Sequence, residues 1–176
     1  NDDLNGAKIP SYATDAKYFH WDYGTAVPLQ YLDPESKIPA VITPTCYASA
    51  LDENIQVGHQ IDATAKRLGK RVIVVVSNAL THLVVRGPAT WPLPEHMEMD
   101  HKFIDMVKAA DVDGATEYLP GYARDAKCEM GGRGLGVFLG ASKALEENAG
   151  NLSGAQYGPY AQSSASGNAN LALVAA

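Results

Sequence analysis

The chain has 176 residues and a formal net charge of −6 at pH 7, and 46% of its residues are hydrophobic. This length suffices for one well-buried core and leaves little room for a second, so we expect a single domain over residues 1–176. The acidic balance argues against nucleic acid as a partner, because phosphate binding needs a basic face. No purely apolar run, such as that at residues 72–76, approaches the ~20 residues of a membrane span, so no membrane partner is expected.

The chain opens with a polar stretch, residues 1–17, that contains Gly6 and Pro10 and predicts a loop or ragged end. It has neither an initiator Met nor a signal-peptide pattern, which predicts a fragment or a chain whose beginning was removed. The two cysteines, Cys46 and Cys128, lie in unrelated segments without the spacing of a metal site. We therefore expect a reducing, cytoplasmic location rather than a disulfide scaffold.

The next elements alternate between strand and helix patterns. Residues 40–43 are mostly β-branched and predict a short buried strand that starts after a proline. Residues 52–68 show helical spacing of apolar positions, with Asp52 as a candidate cap, and residues 71–77 predict a strand buried on both faces. This order is typical of a right-handed crossover and predicts the α/β class, with a central mixed sheet flanked by helices.

The second half of the chain is predicted to be mainly helical after a proline-rich loop at residues 87–94. Helical patterns cover residues 96–110, 113–119, 121–127 and 134–147. The tail, residues 153–170, is rich in Gly, Ser, Tyr and Asn, and predicts an irregular loop that leads into a last short strand at residues 171–174.

Two side chains are candidates for chemistry. His82 lies five residues beyond the predicted strand 71–77, at the sheet edge where α/β proteins bind ligands. Its imidazole suits a general acid or base near neutral pH, although a lone histidine also serves to hydrogen-bond its own loop. Glu129, close to two glycines, is either a hard-oxygen metal ligand or a capping or surface acid. The aromatic segment 19–23 is likewise either core or a ring-binding site.

Several short segments occur in a distinctive order. Residues 22–25 are Asp-Tyr-Gly-Thr, residues 77–82 are Ser-Asn-Ala-Leu-Thr-His, and Glu129 is followed ten residues later by Leu-Gly-Ala. Residues 157–159 are Tyr-Gly-Pro and residues 166–168 are Ser-Gly-Asn. Together these segments resemble the C-terminal half of the class III extradiol ring-cleaving dioxygenases, over residues 18–174. The resemblance is closest to homoprotocatechuate and 2-aminophenol dioxygenases, where Tyr rather than His occupies the position of Tyr23.

The resemblance implies a non-haem iron(II) enzyme that opens catechol-like or 2-aminophenol-like rings with O2. In this interpretation Glu129 is the carboxylate ligand of Fe(2+), His82 is the acid–base residue, and Tyr23 hydrogen-bonds the substrate or oxygen. Residues assigned to substrate binding are His20, Thr25, Asn78 and Ser166.

The two ligand histidines of the family lie before its Asp-Tyr-Gly-Thr segment, where this chain has almost nothing. The resemblance therefore implies a companion chain, or a missing N-terminal segment, that supplies both. His59, His96 and His101 are expected to be structural or surface residues, since the i,i+5 spacing of the last two does not share one helix face.

Two alternatives to the iron oxygenase stay open. One is a non-catalytic regulatory or structural subunit paired with an active homologue, and the other is a small-molecule-binding protein or zinc enzyme on the same fold. The particular aromatic substrate does not follow from the residues. An oligomer is expected, because paralogous halves of this kind commonly pair.

Overall fold

The computed structural model describes residues 1–14, 18, 20–85, 87 and 90–176. Along these residues it has six α-helices, one 3₁₀ turn and one β-hairpin. Three residues of the predicted opening loop, Asp15, Ala16 and Lys17, lie outside the described residues, as do Phe19 of the aromatic segment and Pro88 of the proline-rich loop. None of the described helices is long and apolar enough to span a bilayer.

The helices follow the periodic segments of the sequence closely. The predictions for residues 52–68, 96–110 and 134–147 are confirmed to within two residues at each end. The bounds are α1 Asp2–Gly6, α2 Tyr23–Leu32, α3 Leu51–Arg67, α4 Pro94–Lys108, α5 Val112–Asp125 and α6 Arg133–Ala149, with the 3₁₀ turn at Glu129–Gly132. The opening stretch is thus partly helical rather than wholly a loop, although α1 buries none of its residues.

Helix α5 runs through Pro120, where the sequence predicted two shorter helices. A proline inside a helix lacks the N–H for one hydrogen bond and costs about 3 kcal/mol. Leu119 and Tyr122, on either side of it, are fully buried. Packing of this face against the core therefore outweighs the local cost of the proline.

The tail forms a hairpin of β1 (Leu152–Ser163) and β2 (Ser166–Ala175), so the prediction of an irregular loop over residues 153–170 is wrong. The two-residue turn, Ser164 and Ala165, has positive φ at both positions, which is the geometry of a tight hairpin turn. Turns of this type usually carry Asn-Gly or Asp-Gly, and that signal is absent here. A register shift between Tyr157 and Ala161 accommodates the glycine and proline of β1 as a bulge.

The predicted strands at residues 40–43 and 71–77 do not pair in the described structure, so both predictions are wrong. Val41 is 93% exposed and Ile73 is 83% exposed, where the sequence predicted burial. A strand needs a neighbour to satisfy its backbone N–H and C=O groups, and the described residues provide none beside these segments. The α/β class itself is confirmed as helices combined with a sheet, which over the described residues is the antiparallel pair β1–β2.

The core lies between α4, α5 and α6, and the hairpin packs against it. Phe103 and Tyr122 stack with ring centroids 5.3 Å apart at its centre. Helix α3 lies against the other side of α6, where Gly58 and Gly140 allow close approach of the two backbones. This framework carries the loop that contains His82.

Candidate active site

Residues 79–82 run beside the beginning of β2 and bond to it in both directions. The N–H of Leu80 donates to the carbonyl of Gly167 at 2.9 Å, and the N–H of Gly167 donates to the carbonyl of Thr81 at 2.9 Å. His82 and Ser166 form an isolated antiparallel bridge at the end of this pairing. The hairpin thus fixes one side of the segment.

The other side of the same segment is bonded to the chain that leads into the 3₁₀ turn. The N–H of His82 donates to the carbonyl of Lys127 at 3.0 Å, and the N–H of Glu129 donates to the carbonyl of Leu80 at 3.2 Å. Thr81 and Cys128 form a second isolated bridge. The backbones of His82 and Glu129 are therefore held in register by direct hydrogen bonds.

The side chains of His82 and Glu129 meet at this junction. His82 Nε2 lies 4.0 Å from Glu129 Oε1, and the two side chains are 34% and 25% exposed. Glu129 Oε2 accepts a hydrogen bond from the N–H of Ala79 at 2.5 Å. One carboxylate oxygen is therefore fixed by the backbone, while the other faces the imidazole in a position that solvent and small molecules can reach.

Left-handed backbone conformations cluster around this junction. Five non-glycine residues near it have φ between 46° and 63°: Val84, Lys127, Met130, Ser164 and Ala165. Such conformations cost of order 1–3 kcal/mol each and concentrate at functional sites. The value at Val84 is the most unusual because its side chain is β-branched.

Asn78 and Ser166, predicted to bind substrate, lie beside the same junction. Ser166 is only 5% exposed, and the side chain of Asn78 donates to the carbonyl of Ala79 at 2.5 Å. A Cβ on Gly134 would lie 2.4 Å from Asn78 Oδ1, so the first turn of α6 packs directly on this amide. The structure thus brings His82, Glu129, Asn78 and Ser166 together.

The other predicted site residues lie at the exposed start of α2. Asp22 caps this helix by accepting from the N–H of Thr25 at 2.9 Å. Tyr23 is 80% exposed and His20 is exposed as well. A Cβ on Gly24 would lie 3.7 Å from Ser77 Oγ, so the start of α2 adjoins the chain that leads to His82.

A buried carboxylate that sequence reasoning did not single out lies directly behind the site. Asp100 is fully buried, and its Oδ1 accepts from the N–H of Thr81 at 3.1 Å and from the hydroxyl of Tyr122 at 2.6 Å. Its Oδ2 accepts from the hydroxyl of Tyr160 at 2.6 Å. Burial raises the pKa of Asp100 above its usual value, and the hydrogen bonds from Tyr122, Tyr160 and Thr81 partly offset this. The sequence did hold a signal, since Asp100 shares a helix face with Phe103, Ile104 and Val107.

The two histidines of α4 occupy different surroundings. His96 is buried, and its Nδ1 lies 3.2 Å from Oγ1 of Thr81, the residue that precedes His82. His101 is exposed and its ring lies 4.8 Å from that of Tyr160. Their separation agrees with the expectation that residues five apart on a helix do not share one face.

The residues at the junction fit part of an iron site. The free oxygen of Glu129 is a hard donor of the kind that iron(II) accepts beside two imidazoles. Over the part of the chain that the structure describes, however, no three His, Cys, Asp or Glu side chains converge in a metal-binding group. Burial raises the pKa of Cys128 to about 12, which makes this neighbouring thiol a poor metal ligand. Glu129 thus fits as one ligand of such a site, and the described residues offer no complete ligand set around it.

An imidazole facing a carboxylate, on a framework of helices and strands, defines a class of site used for acid–base and metal-assisted chemistry. Residues 2–165 match the family described as the catalytic LigB subunit of aromatic ring-opening dioxygenase. The chain belongs to this family, which confirms the predicted resemblance and assigns it to the dioxygenases that open aromatic rings. A comparison with curated proteins finds no match.

Proposed function

We propose that this chain is the catalytic part of an iron(II)-dependent extradiol dioxygenase that cleaves a catechol-like or 2-aminophenol-like ring with O2. The observation that carries the proposal is the 4.0 Å approach of His82 Nε2 to Glu129 Oε1. Family membership gives the aromatic ring-opening activity, and this pair gives the chain a proton carrier beside a candidate metal ligand.

Glu129 is the carboxylate ligand in this proposal. Iron(II), when bound, supplies open positions for the adjacent oxygens, or oxygen and nitrogen, of the substrate and for O2. The hydrogen bond from Ala79 to Oε2 fixes the carboxylate, which leaves Oε1 to bind the metal.

His82 carries protons in this proposal. Its Nε2 takes a proton from the substrate hydroxyl or amine and returns a proton to the ring-opened product, a semialdehyde or its amino counterpart. The backbone bond from His82 to Lys127 keeps the imidazole beside the substrate while its ring stays partly open to solvent.

The remaining site residues bind and orient the ring. Ser166 forms a backbone bridge with His82 and Asn78 lies four residues before it, and Tyr23, Thr25 and His20 at the start of α2 cover the substrate when the assembly is complete. The exposure of Tyr23 leaves its hydroxyl available for a hydrogen bond to a substrate oxygen.

The two histidine ligands come from outside the described residues, either from a companion chain or from a preceding segment. This agrees with the described residues, among which no three His, Cys, Asp or Glu side chains converge. The exposed apolar side chains of Val72, Ile73 and Val75, in the segment that leads into the site, support it as well, because a strand added there would end near Glu129. We further propose that residues 1–176 form a single domain of an oligomer in the reducing cytoplasm, in line with the two free cysteines.

The test compares three variants of the assembled, iron-loaded enzyme. We expect His82→Ala to lower turnover of catechol or 2-aminophenol by about 10²–10⁴-fold with near-normal iron content, because it removes a proton carrier and no ligand. Glu129→Gln should lower the iron content itself. Oxygen uptake and iron per chain measure the two effects, with His59→Ala as the control, since His59 pairs with Glu147 on the outer faces of α3 and α6.

Unchanged turnover in His82→Ala would remove His82 from the mechanism. An assembly that holds no iron at Glu129 and consumes no oxygen would favour the regulatory or structural subunit instead. Oxygen-independent chemistry with zinc would favour the third alternative.

A further inference from the structure

The carboxylate of Asp100 is buried among neutral hydrogen-bond donors. Its partners are the N–H of Thr81 and the hydroxyls of Tyr122 and Tyr160. Placing a carboxylate in the core costs free energy, and a well-packed apolar residue of similar size is often at least as stabilising. A stability role therefore explains Asp100 poorly, whereas holding a neighbouring group in place would explain it.

The group held by Asp100 is the residue next to His82. All three polar groups of Thr81 are bonded: its N–H to Asp100, its hydroxyl to the carbonyl of Ala126, and its carbonyl to the N–H of Gly167. Thr81 is fully buried. Thr81, which directly precedes His82, is thus held by three hydrogen bonds, and one of them is to the carboxylate of Asp100.

Gly167 brings the hairpin onto the same carboxylate. A Cβ at this position would lie 2.1 Å from Asp100 Oδ2 and 2.0 Å from the hydroxyl oxygen of Tyr160. The backbone of β2 therefore passes directly over the carboxylate, with Ser166 on its other side next to His82. Asp100 on α4 and Tyr160 on β1 are thus next to both segments that adjoin His82. One is Thr81, which precedes His82, and the other is the start of β2 at Ser166 and Gly167.

We infer that Asp100, with Tyr160 as its hydrogen-bond donor, is a positioning residue that sets the orientation of His82 toward Glu129 and the substrate. This inference rests on the proposed function, in which His82 carries protons. It adds residues that touch neither the substrate nor the metal. Their effect on turnover passes entirely through His82.

The experiment is a double-variant cycle on the assembled, iron-loaded enzyme. Tyr160→Phe removes only the hydroxyl that bonds Asp100 Oδ2, and Asp100→Asn is a second variant with the same shape. Each variant is made both with His82 present and in the His82→Ala background. The kcat, KM and iron content are then measured at a temperature at which every variant is folded. Tyr118→Phe is the matched control, since Tyr118 stacks on Tyr122 but its hydroxyl does not bond Asp100.

We expect Tyr160→Phe to lower kcat by about 10- to 100-fold with His82 present, with little change in KM or iron, because a small misplacement of a catalytic group is costly. In the His82→Ala background the same change should leave the residual rate within about twofold, since groups acting as a unit are non-additive. Equal losses in both backgrounds, or no loss in either variant, would overturn the inference alone. A wild-type enzyme that opens no ring, or a His82→Ala variant with full turnover, would overturn the proposed function and the inference with it.

Discussion

At the scale of single residues, the candidate site and the core behind it contain carboxylates in two different environments. Glu129 is a quarter exposed and has an oxygen free to bind a ligand, while Asp100 is fully buried and bonds only within the protein. The motif containing His82, and Glu129 close to two glycines, could be singled out from the sequence. The role of Asp100 could not, because a charged residue on an apolar helix face shows its partners only in three dimensions.

Asp100 gives the protein a pH-dependent stability that opposes the usual trend. Burial raises its pKa, so between the unfolded-state value near 3.8 and the higher folded value the native chain binds more protons than the unfolded chain. The free energy of unfolding contributed by this residue therefore falls as pH rises through that window. The groups that face this carboxylate are His96, Thr81, Tyr122 and Tyr160. All four are present both in the wild-type protein and in a variant changed only at Asp100.

Denaturant unfolding of wild type and Asp100→Asn across acidic pH measures the effect. The difference in free energy, wild type minus variant, should decrease as pH rises above 3.8 and then become constant. Other carboxylates, such as Asp3 with its pKa lowered by Arg67, contribute equally to both proteins and cancel. A difference that stays flat or increases with pH would contradict the assignment.

At the scale of elements, the packing of α3 against α6 depends on glycines. A Cβ on Gly140 would lie 1.9 Å from the carbonyl oxygen of Ile55, and one on Gly58 would lie 2.1 Å from that of Val137. These contacts are with backbone, which cannot rotate away as a side chain can. A side chain added at either glycine would therefore push the two helices apart.

Gly140→Ala should destabilise the protein by about 1–3 kcal/mol, because overpacking exceeds the roughly 1 kcal/mol that Ala gains over Gly in helix propensity. Gly121→Ala in α5 is the control, since its nearest neighbour is a side-chain atom of Arg124 at 4.0 Å. That change should stabilise by about 0.5–1 kcal/mol. Thermal or denaturant unfolding distinguishes the two, and equal effects would show that the helices do not touch as described.

At the scale of the whole molecule, one part of the chain is packed, while residues 71–77 pair with no other strand among the described residues. The core of α4, α5, α6 and the hairpin buries large side chains completely, whereas Val72, Ile73 and Val75 are about half or more exposed. These residues were predicted to be a buried strand on the basis of their composition. Under the proposed function, an exposed apolar segment that leads to Glu129 is a candidate interface with the chain or segment that supplies the histidines.

If residues 71–77 form the proposed interface, Ile73→Asp should weaken assembly with the proposed companion, because a charge would be buried there. The measurement is co-purification of the two pieces together with iron per chain. Leu68→Asp, at an exposed apolar position just after α3, is the control and should leave assembly unchanged. Normal assembly and iron content in Ile73→Asp would exclude residues 71–77 from the interface.

The sequence alone determined three of the helices and the family. Helical spacing of apolar residues is a local property, so α3, α4 and α6 were predicted to within two residues, and the motifs around Asp22, His82 and Glu129 indicated an aromatic ring-opening dioxygenase. Tertiary structure alone decided which segments pair, because a strand forms backbone hydrogen bonds only with a segment that the fold places next to it. It left residues 71–77 unpaired, formed a hairpin without the usual turn residues, and placed Asp100 behind His82, since burial and backbone pairing are properties of the folded chain as a whole.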